Sequence, residues 1–213
     1  MPDPMILEGP RLRLRPWRQA DLAPLAAINT DPVAMRHFAA PMTRAESDAW
    51  ADRLQRHIDA HGWGFWAVER RDAPGCIGAV GLMHIPWEAP WMSERPGQTS
   101  APTGATVIGR PVTPAVEIGW RIAPGLQRQG LAEEAARLAL AAGFGPIGLA
   151  EIVAFTVPAN APSWRLMEKL GMRRGEDFAH PRLPEDHPLR PHLLYRLARA
   201  EWVAQRLGGG CRG

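Results

Sequence analysis

The residues best placed to do chemistry lie in the stretch 116–132, VEIGWRIAPGLQRQGLA, where a strand pattern runs through a Pro-Gly turn into the start of a helix. The join carries Gln127-x-x-Gly130-x-Ala132. A strand that feeds a glycine-containing turn and a helix N-terminus presents backbone N–H groups and the positive end of the helix dipole, and together these hold a phosphate. Gly130 lets the backbone approach a ligand closely, and the small Ala132 keeps the first helical turn from crowding it. The pattern predicts a pyrophosphate cradle made from the backbone of Gln127, Arg128, Gln129, Gly130, Leu131 and Ala132, and hence a nucleotide- or coenzyme-binding enzyme. An ordinary helix start is the plainer reading of Gly130. The three-glycine spacing of a dinucleotide fold and the Gly-Lys-Ser/Thr ending of a Walker loop are both missing.

The elements that must position this cradle follow from periodicity. Residues 11–15, RLRLR, alternate as a first strand with Leu12 and Leu14 facing inward. Residues 21–29 read as a helix, and Asp31 begins a second short one. Thr43-Arg-Ala-Glu46 matches a capping box, and the helix it opens runs to about His61, where Gly62 stops it. Two strands, 65–70 and 76–84, flank a Pro-Gly connection with hairpin chemistry. Residues 86–114 break the pattern with five prolines before Thr113 and two exposed-looking tryptophans, Trp87 and Trp91, so they read as a long loop. Strand 116–122 follows. The helix 130–142 buries Leu131, Ala135, Leu138 and Ala142 and wets Glu133, Glu134 and Arg137. A strand at 151–157, a helix at 162–170 ended by Gly171, and a last strand at 192–197 complete the chain. This order predicts an α/β fold, one layer of mixed sheet with helices on its faces. A single domain over 1–205 and a flexible Gly-rich tail over 206–213 are expected.

Composition removes several function classes. The net charge is +3 with no run of like charges, which argues against nucleic acid despite the high pI. No span is long enough for a bilayer, and the N-terminus lacks signal-peptide features. Cys76 and Cys211 match no metal spacing, so no metal is expected, and a cytoplasmic protein with reduced thiols is the default. Nine tryptophans stand against one tyrosine, Tyr195, which leaves little room for a mechanism built on a phenol.

With these residues in view, the sequence resembles the GCN5-related N-acetyltransferase (GNAT) superfamily, whose acetyl-CoA motif is Gln/Arg-x-x-Gly-x-Gly/Ala after a strand. The branch that includes the ribosomal-protein N-terminal acetylases is the most similar. The stretches RLRLRPW, AVEIGWRI, QGLAEEAARLAL, EIVAFTVPANAPSWRLMEKLGM and HLLYRL carry the likeness in family order. The resemblance implies a mostly antiparallel sheet, splayed between the strands at about 116–122 and 151–157. The backbone of Trp120, Arg121 and Ile122 would then bind the pantetheine arm of acetyl-CoA, Asn160 would contact the coenzyme, and Ser163 would lie near its sulfur. A plain helix cap is the other reading of Asn160.

The implied reaction moves an acetyl group to a primary amine by direct attack in a ternary complex. It needs a base for the amine and stabilisation of the oxyanion and leaving thiolate. The tyrosine acid of many relatives has no counterpart here, since Tyr195 falls in the last strand and reads as a core residue; Ser163 is the substitute. Glu117 is the leading base, with a structural salt bridge as its other reading, and His84 is the second candidate. The acceptor would be a protein N-terminus or a small amine, held by residues 29–43 and the 86–114 loop. There Trp87, Trp91, Glu88 and Glu94 have the chemistry to trap a cation. Phe178-Ala-His-Pro181 reads as a structural turn. A non-catalytic acyl-CoA-binding or sensory module is the alternative function, and a homodimer is compatible with the resemblance.

Overall fold

The computed structural model describes residues 2–93, 106–107, 110–111 and 115–209. In chain order the strands and helices are β1 (Leu7–Glu8), β2 (Leu12–Arg15), α1 (Leu22–Thr30), α2 (Arg44–His61), β3 (Phe65–Arg70), β4 (Cys76–His84) and α3 (Pro90–Ser93). Next come β5 (Thr106–Val107), β6 (Arg110–Pro111), β7 (Val116–Ile122), α4 (Leu131–Phe144) and β8 (Glu151–Thr156). The chain continues through α5 (Ala161–Lys169), β9 (Arg173–Arg174), β10 (Phe178–Ala179), β11 (Pro191–Ala198) and α6 (Arg199–Gly209). They fall into two compact units, Met1–Met83 with Ile118–Leu149, and His84–Glu117 with Ala150–Gly213.

In the first unit, β1, β2, β3 and β4 pair in sequence as an antiparallel meander. The end of β7 lies beside β4, with the Ala123 N–H on the Ile77 carbonyl at 2.9 Å. Alternation places Leu12 and Leu14 in the core, as expected. Arg15 is the exception, because it is buried too. Its guanidinium makes a two-pronged pair with Asp21 at 2.6 and 2.9 Å, and Nε and Nη2 reach Glu69 at 2.9 and 2.8 Å. Burial of a charge is tolerated when its donors are spent on carboxylates in this way. The capping box at Thr43 forms as the spacing predicts, with reciprocal bonds to Glu46. Gly62 ends α2 at φ 78°, a conformation glycine adopts without steric cost.

The second short helix expected from Asp31 is instead a run of turns. Asp31 Oδ1 accepts from the N–H groups of Val33 and Ala34 at 2.7 and 2.8 Å, and this local bond competes with helix. In α4 the buried face is Leu131, Ala135, Ala136, Ala139, Leu140 and Ala142, so Leu138 stands at its margin rather than in the stripe. Glu134, expected on the wet side, turns inward. Its carboxylate accepts from the backbone N–H groups of Arg11 and Leu12 at 2.8 and 3.1 Å and pairs with Arg11 Nε at 2.7 Å.

In the second unit β8 pairs antiparallel with β11, from Glu151↔Ala198 to Thr156↔Leu193, and β9 and β10 also pair with β11. The start of β7 meets β8 in parallel at Glu117↔Val153. The two units together bear out a mixed, mostly antiparallel sheet with flanking helices. Helix α6 follows β11 through Arg206 to Gly209, beyond what the sequence pattern suggested.

The expected long loop contains α3 and the β5–β6 hairpin, and Trp91 is buried rather than exposed. Trp87 is half-buried and sits in a cluster with Phe155, Phe178 and His180, at ring distances of 5.5, 6.1 and 4.8 Å. Glu94 and Cys211 lie outside the described residues. Among the described residues, no helix is long and apolar enough to cross a membrane.

Candidate active site

Strand β7 begins in the second unit with Glu117 and ends in the first with Trp120, Arg121 and Ile122. From there the chain makes a short 3₁₀ turn, Pro124–Leu126, and reaches α4 through residues 127–130, all of them exposed. Gln127 fixes the turn by donating its side-chain amide to the Ile122 carbonyl at 3.1 Å. Arg128 and Gly130 both take left-handed backbone conformations, at φ 61° and 75°. Such residues break the alternation of N–H directions and let successive amides face one concavity, the backbone device of an anion nest.

No side chain caps α4 at Gly130, and the first backbone bond back to it comes from Glu134 N–H at 3.0 Å. The amides of Leu131 and Ala132 therefore have no partner within the helix. The two acids of the first turn are neutralised nearby, Glu133 by Arg137 at 3.0 Å and Glu134 by Arg11 at 2.7 Å. Arg11 also bonds the Gln129 carbonyl at 2.9 Å, which props the turn open from behind. The result is an exposed, uncapped helix start beside Arg11 and Arg128, chemically suited to a phosphate or pyrophosphate.

The side chain of Arg121 is spent elsewhere than on this turn. It is stacked between Phe38 and Trp50, with its guanidinium carbon 4.3 and 4.7 Å from the two ring centroids, and donates to Asn29 Oδ1. Desolvation pulls its pKa down to about 10. Nothing in the local pattern of β7 signals this, because the rings and the asparagine come from residues 29–50.

In the second unit Glu117 is half-buried, and no hydrogen bond or ion pair engages its carboxylate among the described residues. Among the described residues the salt-bridge reading of this residue therefore finds no partner. Desolvation raises its pKa to about 7, and the positive charge of Arg182 only partly opposes the rise. A carboxyl group that titrates near neutrality is suited to taking a proton from an amine.

His180 and His192 stand close by one another, rings 4.9 Å apart. Burial, with the neighbouring imidazole and Arg182, pushes His180 down to about 4, and burial also lowers His192. Both shifts favour the neutral imidazole. The structure therefore makes Phe178–Ala179 a short strand leading to a buried aromatic and histidine cluster, beyond the plain turn read from the sequence. His84, the second candidate base, closes β4 and is half-buried.

Asn160 precedes α5 but does not cap it with its side chain. Its Nδ2 donates to Thr156 Oγ1 at 3.0 Å, which leaves Oδ1 without a protein donor among the described residues. Its backbone carbonyl accepts from the N–H groups of Ser163 and Trp164 at 3.0 and 3.3 Å. Ser163 sits half-buried in the first turn. Tyr195 is a core residue, as read from its position. It is 1% exposed, and its hydroxyl donates to Glu168 at 3.0 Å.

Of the two rings expected to trap a cation, Trp91 already carries one. Arg196 already lies over the Trp91 ring at 5.0 Å and donates to the Trp91 carbonyl at 2.8 Å.

Residues 11–173 match the family model described as an acetyltransferase (GNAT) domain. An 86-residue stretch is 40% identical to the uncharacterized N-acetyltransferase YnaD of Bacillus subtilis, covering 40% of this chain and half of YnaD. Among solved structures, a GNAT-family acetyltransferase from Bacillus anthracis aligns with a TM-score of 0.69 at 21% identity over 92% of this chain and 99% of its own. A ribosomal-protein-S5-alanine acetyltransferase from Vibrio fischeri aligns with a TM-score of 0.63 at 18% identity, covering 93% and 98%. At these identities the structural likeness concerns the fold. Because the family model spans most of the chain, the protein belongs to the GNAT acetyltransferase family.

Proposed function

We propose that this protein uses acetyl-CoA to acetylate a primary amine, by direct attack in a ternary complex, within the branch that resembles the ribosomal-protein N-terminal acetylases. The observation that carries the reading is the uncapped start of α4 behind the left-handed Arg128 and Gly130. In this reading the amides of 127–132 hold the pyrophosphate, and the backbone of Trp120, Arg121 and Ile122 holds the pantetheine arm. Asn160 contacts the coenzyme with its free Oδ1. A protein N-terminus and a small-molecule amine are the two acceptor classes of this reading.

The residues divide the chemistry as follows. Glu117 in its carboxylate form takes a proton from the acceptor ammonium. The freed nitrogen lone pair attacks the thioester carbonyl carbon. A C–N bond forms as the C–S bond breaks, one of the two amine protons passes to solvent while the other stays on the amide nitrogen, and the coenzyme leaves as a thiolate. Ser163 donates a hydrogen bond to that sulfur. Tyr195 takes no part, because its hydroxyl is committed to Glu168.

Two measurements test the reading. Release of free thiol from acetyl-CoA should appear with some members of a panel of small amines and peptides, together with an acetylated product by mass. Coenzyme binding without turnover on any acceptor would favour the non-catalytic alternative, which the absence of a free tyrosine acid supports. Gly130→Val should raise the KM for acetyl-CoA about tenfold while leaving kcat within a few-fold, since a β-branched residue is disfavoured at φ 75°. An unchanged KM would remove residues 127–132 from the coenzyme site.

A further inference from the structure

Arg121 is a largely buried cation that has no counter-charge among the described residues. In the first unit its fork is gripped on several sides: Phe38 and Trp50 flank it, and Nη1 donates to Asn29 Oδ1. Asn29 is itself held by donating Nδ2 to Ser47 Oγ at 2.8 Å, and both Asn29 and Ser47 are fully buried. The mount is rigid, yet no carboxylate pairs with the guanidinium among the described residues. Among the described residues its buried Nε has no hydrogen-bond partner and no bond engages Nη2. The contrast with Arg15 is direct, since that buried fork is spent on Asp21 and Glu69.

A guanidinium that is largely desolvated without a carboxylate partner is unfavourable, and two aromatic faces offset only part of the loss. With Nη1 used, the unspent donors are Nε and Nη2, which point off one edge of the plane in parallel. That edge matches the two oxygens of a carboxylate. Phe38, although 44% exposed, is stacked on the cation and shields it from solvent.

We propose that Arg121 recognises a carboxylate carried by the acceptor, so that the acceptor class is an amine bearing a carboxylate, such as a free amino acid. The proposal rests on the acetyl-transfer reading above. It adds a specificity residue that neither the coenzyme motif nor the candidate base supplies.

The test compares acceptors in pairs that differ only at the anion: glycine with glycinamide, and phenylalanine with phenylalaninamide. It uses the wild type and the Arg121→Met and Arg121→Lys variants. In the wild type, kcat/KM should favour the carboxylate member of at least one pair by tenfold or more. Arg121→Met should abolish that preference, raising the KM of the carboxylate member of a pair at least tenfold more than the KM of its amide. Arg121→Lys should restore only part, because it keeps the charge and loses the fork. Comparing ratios between variants cancels the intrinsic basicity of each amine.

Calorimetric titration with N-acetylglycine, against N-acetylglycinamide, reads the anion site without any turnover. Arg121-dependent binding of N-acetylglycine with no acetyl transfer on any amine would uphold the anion site and overturn the transfer reading. Wild-type turnover that is indifferent to the carboxylate in both pairs would overturn the proposal, even if neither variant folds. So would N-acetylglycine binding that Arg121→Met leaves intact.

Discussion

Glutamine in place of Glu117 is expected to lower acetyl transfer at pH 7 to 8 by about 10²- to 10³-fold, the range typical of a lost general base, with little change in the KM for acetyl-CoA. Glutamine keeps the size and polarity of the side chain and removes only its capacity to take a proton. Because desolvation places the Glu117 carboxyl near 7, the wild-type rate should rise with pH through that value as the carboxylate forms, then level off. The variant should lose this limb of the profile. An unchanged pH–rate profile would remove Glu117 from the role of base.

The same shift predicts an opposite effect on stability. The folded protein holds the Glu117 proton more tightly than the unfolded chain does. The associated stability is complete below the ordinary carboxyl value of about 4.5 and is lost as pH rises through about 7. At most, the loss is about 3 kcal/mol by pH 8, at about 1.4 kcal/mol per pH unit between the two values. Glu117→Gln should therefore be more stable than the wild type at pH 8 and indistinguishable from it at pH 4 in urea unfolding. A residue retained for structure would not gain stability when neutralised.

The second large effect is structural. Asp21→Ala is expected to destabilise the fold by about 3 to 5 kcal/mol, the loss seen when one partner of a buried pair is removed. Asp21 is 2% exposed and Arg15 equally so. Truncation strands the Arg15 fork with Glu69 alone and frees the Arg18 N–H that Asp21 accepts at 2.8 Å. Replacing Arg15, Asp21 and Glu69 together by apolar residues of similar volume should recover most of the loss, since the whole buried charge cluster is then removed. Chemical denaturation checks both variants. A loss below 1 kcal/mol in Asp21→Ala would show that the pair contributes little.

What could be read from the sequence was local. The capping box at Thr43, the stop at Gly62, the alternation of Leu12 and Leu14 and the strand-turn-helix around Gly130 each depend on residues within a few positions of one another. What could not be read depends on partners far along the chain. Trp87 and Trp91 looked exposed inside a proline-rich stretch, and their burial comes from Phe155, Phe178 and Arg196. Arg15 broke the alternation of its strand because Glu69 lies across the sheet. Arg121 was visible only as a strand residue of the coenzyme motif, while its surroundings are set by Asn29, Phe38 and Trp50. Asn160 looked like a helix cap, and Thr156 diverts it. The strand-turn-helix geometry was thus legible from a compact motif, and the environment that raises Glu117 and surrounds Arg121 was not.

The most direct test of the central claim is a crystal structure of the protein with coenzyme A bound. The pyrophosphate should rest on the backbone amides of 127–132, ahead of α4, with the pantetheine arm along β7 and the sulfur end toward Glu117. Coenzyme bound away from residues 127–132, or no binding at millimolar coenzyme, would contradict the account.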